Sequence, residues 1–207
     1  NVKFISFLLI FSLCWLIFWQ FFILIPFYIS DYISPDAPIE IIISIGAWTI
    51  ICFQIPVNRL TKNIPTHLAI LIGFILAAFS WFVMFILLPI TQGTYFSLGG
   101  DTTFAWAIPI IMLGMFLFSL GEQTQAPRFY EYIADLAPKG QTALFQGYAF
   151  LPIAIAWGFG GTFGGWIYHT FAKVANQPEM IFLILFLVGL VATILMYIYN
   201  RYAVEKN

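Results

Sequence analysis

Glu122 is a carboxylate inside a run of otherwise apolar residues, in the stretch SLGEQTQAPRFYEYIADLAPKG that extends from Ser119 to Gly140. A carboxylic acid among hydrocarbon can accept a hydrogen bond from a neighbouring helix, hold a cationic group, or take up and release a proton. Gln123 and Gln125 add polar groups beside it, and Arg128 follows with Phe129, Tyr130 and Tyr132. Arginine among aromatic rings is the composition of a membrane interface. On a helix Glu122 lies about 9 Å inside that interface, in the inner part of the bilayer. A carboxylate there costs roughly 2.5–3.5 kcal/mol on insertion scales, so it should face a cavity or a partner. Gln20, in CWLIFWQFF, is the other isolated polar residue of this kind. It reads either as a hydrogen bond between helices or as a ligand contact beside Trp15 and Trp19.

Other chemistry is missing its parts. Neither His67 nor His169 stands in H-E-x-x-H, and G-x-S-x-G does not occur. A zinc protease needs the first and a serine hydrolase of the elbow type the second. Asp101, in SLGGD, is a loop acid with no intramembrane partner, and His169 reads as an interfacial polar residue. The chain is therefore expected to be no enzyme, with no cofactor and no metal site. A net charge of -1 gives no case for nucleic acid.

These residues must be positioned by elements that live in lipid. The chain is 62% hydrophobic and only 8% charged, too few charges to cover a protein of this size in water. Spans of about 20 apolar residues cross a bilayer, and backbone exposed to lipid must bond to itself, which favours helices. Six spans are predicted: Phe4–Ser30, Pro38–Asn58, Thr66–Ile90, Thr102–Ala134, Gln141–Phe171 and Pro178–Tyr202. Between them lie DYISPDAP, NRLTKNIPT, TQGTYFSLGGD, LAPKG and AKVANQPE, all with turn chemistry. No alternation of period two competes. The whole of residues 1–207 is read as one transmembrane bundle, and Asn1 at the head of an apolar helix suggests a piece cut from a longer protein.

Seven of the eight basic residues, Lys3, Arg59, Lys62, Arg128, Lys139, Arg201 and Lys206, fall on one side of these spans; Lys173 is the exception. Asp31, Asp36, Asp101 and Glu179 fall on the other. The positive-inside rule then puts both termini in the cytoplasm. Five glycines crowd WGFGGTFGGW in the fifth span. Gly160 with Gly164, and Gly161 with Gly165, are small-xxx-small pairs suited to close helix packing. Gly147 and Pro152 precede them and should soften the same helix.

The segment GEQTQAPRFYEYIADLAPKGQTALFQGYAFLPIA resembles helices ten and eleven of the major facilitator superfamily, through Gly121, Glu122, Pro127, Ala137, Pro138 and Gly147. Within it the likeness is to the proton-dependent oligopeptide transporters, whose seventh helix carries a Trp, an aromatic and a Gln, here Trp15, Phe18 and Gln20. QIPVNRLTKNIPTHLAILIGFILAAFSW looks like their junction of helices eight and nine. The resemblance implies an all-α fold, the C-terminal six-helix half of a twelve-helix transporter, with two inverted three-helix repeats. It implies proton-coupled uptake of peptides or related solutes by alternating access, with the N-terminal half, a small-molecule substrate, a proton and the plasma membrane bilayer as partners. Glu122 would meet the substrate's amino terminus or carry the proton, and Trp15 and Gln20 would line the cavity opposite. Asn58, Arg59, Lys62 and Arg128 would serve the cytoplasmic gate or loop. The sequence departs from the family where Trp19 replaces an acid, and where Gln54 and Thr61 replace loop glycines. A carrier or exporter of another solute, and a six-helix channel or scaffold, remain the alternatives.

Overall fold

The structure, a computed structural model, describes residues 2–97 and 103–204; Asp101, Thr102 and Lys206 lie outside them. It is an all-helical membrane bundle. The helices are α1 (Val2–Tyr32), α2 (Ile39–Thr61), α3 (Thr66–Thr91), α4 (Ala107–Leu136), α5 (Thr142–Tyr148), α6 (Leu151–Ile167) and α7 (Met180–Tyr199). Segment Tyr168–Val174 continues α6 as a wider π-helical turn, so α5, α6 and this turn form one span. Six spans long and apolar enough to cross a bilayer result among the described residues, within a few residues of those expected.

The boundaries follow the turn chemistry. Pro38 and Pro65 stand immediately before α2 and α3, where the missing N–H and fixed φ suit a helix start. Gly140, at φ 81°, closes the LAPKG turn in the left-handed region where glycine carries no Cβ penalty. Asn176, at φ 55°, ends the π-helical turn in the same region.

The helices depart from the expected spans at two places. The third connection contains a short antiparallel hairpin, β1 (Tyr95–Ser97) with β2 (Thr103–Ala105), pairing Phe96 with Phe104. Its rings, with Trp106 centred 4.7 Å from Phe96, cover a strand pair too short to show alternation. The fourth span consequently starts at Ala107, not at Thr102. The fifth span, expected to soften at Gly147 and Pro152, breaks between Tyr148 and Leu151, with Pro152 in the first turn of α6.

Packing has a simple order. Helix α3 lies on α4 and α7 on α1; α2 lies on α4 and α6 on α1; α3 and α7 also meet. Exchanging each of the first three spans for the span three places later turns this set of pairings into itself. Successive spans run in opposite directions, so the exchanged triplets are inverted with respect to each other, the architecture of an inverted repeat.

Within lipid, helices associate through close contact and not through exclusion of water. Trp81 is fully buried, with Phe21 stacked 4.2 Å away, and Phe118 lies 5.2 Å from Phe21. Phe7, Phe11 and Phe129 form a second group at the end carrying the termini, with Phe11 and Phe129 centred 4.2 Å apart. Gly73 and Gly121 bring α3 and α4 together: a Cβ on either would stand 2.7 Å from the other's carbonyl oxygen. Such proximity to backbone admits no side chain.

Candidate functional site: a carboxylate between two clefts

Helix α4 presents Glu122 to the gap between itself and α1. Two clefts meet there. The smaller, of about 170 Å³, is lined by Cys14 and Trp15 of α1 and by Gln125, Phe129 and Tyr130 of α4. It lies toward the end of the bundle that carries the termini. The larger, of about 650 Å³, is lined by Phe22 and Pro26 of α1, by Glu40 to Ile50 of α2, and by Met115 and Ser119 of α4. It lies toward the opposite end. Glu122 borders both.

Among the described residues the Glu122 carboxylate has neither an ion pair nor a hydrogen bond. The expected alternative, a structural hydrogen bond to another helix, is not what this arrangement holds. Neighbouring polar groups are occupied or hidden. Gln125 donates from Nε2 to Cys14 Sγ at 3.4 Å, joining α4 to α1. Gln123 is buried, and neither end of its amide has a partner among the described residues. Trp15 lines the smaller cleft, with its indole N–H buried and without a hydrogen-bond partner among the described residues. An acid in a cleft that Trp15, Phe18 and Phe129 also line suits a cationic group, which aromatic rings attract through their quadrupoles.

Gln20 does not line either cleft. It is completely buried between α1 and α6, where Nε2 donates to the Gly160 carbonyl oxygen at 3.2 Å and to that of Leu16 at 3.1 Å. Its amide fills the notch left by Gly160 and Gly164, since a Cβ on Gly164 would run into Gln20 Oε1. The cause is rotational position: Gln20 lies two residues beyond Phe18, on nearly the opposite face of the helix. The glycines divide similarly. Gly160 and Gly164 meet α1, whereas among the described residues no atom stands within 4 Å of a Cβ built on Gly161, Gly165 or Gly147. Among the described residues one of the two predicted glycine pairs packs against another helix, and Gly147 lies just before the break in its span.

At the end carrying the termini, Arg128 ties α4 to the last turn of α2. Its Nη2 donates to the carbonyl oxygens of Thr61 at 3.2 Å and Lys62 at 3.5 Å, and its Nη1 to Glu131 at 2.8 Å. Asn58 accepts from Gln54 at 3.2 Å, and Asn58, Arg59 and Lys62 are exposed around this tie. Arg128 thus reaches the carbonyl oxygen of Lys62, and Asn58 and Arg59 lie within about one turn of Lys62 along α2. A cluster that sequence reasoning missed closes the opposite end. Asp31 of α1 accepts from Lys173 at 2.6 Å and from Tyr168, while Tyr32 donates to the Ala172 carbonyl oxygen at 2.8 Å. Lys173, the sole basic residue on its side, is the signal that could have found it.

The family model described as Major Facilitator Superfamily matches residues 4–207. The chain belongs to this superfamily. The assignment removes the enzyme readings and fixes the bundle as an integral membrane protein. No curated protein matches the chain significantly. Among solved structures it is similar to a POT family transporter crystallised in complex with 5-aminolevulinic acid. The identity is 19% and the TM-score 0.75, over 98% of this chain and 41% of that one. At that identity the likeness concerns the fold. The chain thus spans well under half the length of that transporter.

Proposed function

We propose that this bundle is one half of a secondary transporter that works by alternating access, rocking against an N-terminal six-helix half around a midplane site. The observation that carries the reading is the unpaired Glu122 carboxylate at the meeting point of two clefts. A group reached from two sides in turn is what coupling a proton or cation to movement requires. In this reading transport is proton-coupled uptake of peptides or related small organic solutes across the plasma membrane, with both ends of this segment cytoplasmic. Glu122 holds either the coupled proton or the substrate's cationic group. Trp15 and Phe129 supply ring faces to that group, and Arg128 with Arg59 and Lys62 forms the cytoplasmic gate. Uptake of an amine-bearing solute such as 5-aminolevulinic acid, the ligand of the solved POT relative, belongs to the same class.

The test is transport by the intact protein in liposomes, wild type and Glu122→Gln, using a radiolabelled dipeptide and 5-aminolevulinic acid as probes. Glu122→Gln is expected to abolish uptake driven by a pH gradient. If counterflow survives, Glu122 carries the proton; if counterflow is also lost, it holds the substrate. Proton-driven uptake equal to wild type would remove Glu122 from the mechanism.

A further inference from the structure

The two clefts have only two lining residues in common, Glu122 and Phe18. On α1 the smaller cleft takes residues 11 to 18 and the larger takes 18 to 26; on α4 the smaller takes 118 to 130 and the larger 115 to 122. The two residues therefore mark one level of the bundle, with open volume toward each end. The Phe18 ring is centred 5.6 Å from that of Phe118, across the gap from α1 to α4, and 5.2 and 5.5 Å from those of Trp15 and Phe22. Phe118 is buried one turn from Glu122, so it forms a fixed rest, whereas Phe18 is only partly buried.

We propose that the ring of Phe18 is the partition between the two clefts, and that its displacement sets which face of the bundle reaches Glu122. The inference rests on the transport reading for its purpose but on cleft geometry for its content. A phenyl ring suits the task. It blocks water and ions without offering a hydrogen bond that could relay a proton, and it moves between staggered rotamers without breaking any polar contact. A ring that borders both clefts can swing out of one while still closing the other.

Thiol accessibility tests this in the intact protein, in a background of Cys14→Ala and Cys52→Ala. Ala126→Cys reports on the smaller cleft and Ala47→Cys on the larger. A membrane-impermeant maleimide is applied to intact cells and to inverted membrane vesicles. With Phe18 present, each thiol is expected to react from one face only. Phe18→Ala is expected to make Ala126→Cys react from the second face as well, and Phe18→Trp to keep it one-sided. If Phe18→Ala does not survive gel filtration as a folded protein, Phe18→Leu replaces it, with the same gain expected. One-sided labelling in a folded variant lacking the ring would overturn the proposal, as would two-sided labelling with the ring in place. Labelling is independent of uptake, so a failed partition and a failed role for Glu122 are told apart.

Discussion

The side-chain amide of Gln20 donates to the carbonyl oxygen of Gly160 from a position wholly enclosed by α1 and α6. This is a hydrogen bond between membrane helices at a glycine notch, and hydrogen bonds of that kind average about 0.6 kcal/mol. Gln20→Leu is accordingly expected to lower stability by about that amount while leaving the dependence of transport on substrate concentration unchanged. Thermal unfolding in detergent and uptake kinetics check the two halves of the statement.

A larger loss is expected where backbone meets backbone. Gly121→Ala places a methyl group against the Gly73 carbonyl oxygen, with Leu76 Cβ at 3.0 Å and Ala77 N at 3.2 Å. None of these atoms is the free end of a side chain, so α3 and α4 must separate. Overpacking of this type costs about 1–3 kcal/mol. Gly161→Ala, whose added Cβ meets nothing within 4 Å, is expected to stay within about 0.5 kcal/mol of wild type. The midpoints of the two variants under the same thermal ramp decide it.

Arg128 should matter through α2 more than through its acid. Its contact with Glu131 is a surface pair three residues apart on a helix, worth about 0.2–1 kcal/mol. Its Nη2 meets the last carbonyl groups of α2, which have no partner within their own helix. Glu131→Gln is therefore expected to change little. Arg128→Ala should increase proteolysis at residues 58–65, and Arg128→Lys should rescue only in part, because a single ammonium lacks the planar fork.

At the other end, the Asp31 and Lys173 pair should respond to charge and not to residue identity. Lys173→Met is expected to lower the thermal midpoint. The exchange Asp31→Lys with Lys173→Asp is expected to recover most of the loss at low salt and less at high salt. Equal midpoints for all variants would show that Tyr32 and Tyr168 hold this end without it.

Much of this fold was legible because length and hydropathy leave a membrane segment few choices, and Pro38, Pro65 and Gly140 punctuate it where the helices turn. The β1–β2 hairpin was not legible, since three residues per strand carry no period. Facing was the larger difficulty. In α1 nearly every position is apolar, so no stripe separates the side that meets α6 from the side that lines the clefts, and Gln20 and Trp15 looked alike. Glu122 is legible as a candidate because one carboxylate among hydrocarbon needs no period to stand out. Its two approaches were invisible, because they depend on which helices α1 does not touch closely.

The exchange symmetry of the helix pairings has an energetic consequence. A bundle whose contacts survive interchange of its two triplets has no preference, by architecture alone, between widening the gap at one end and widening it at the other. Any bias must come from places where the sequence breaks the symmetry. Helix α6 offers α1 a glycine notch filled by an amide, whereas the counterpart contact sets Gly46 of α2 against Met115 and Ser119 of α4. In the transport reading proposed above, the resting state is set by such departures from symmetry, the largest being that α3 packs on α4 far more extensively than α7 packs on α1.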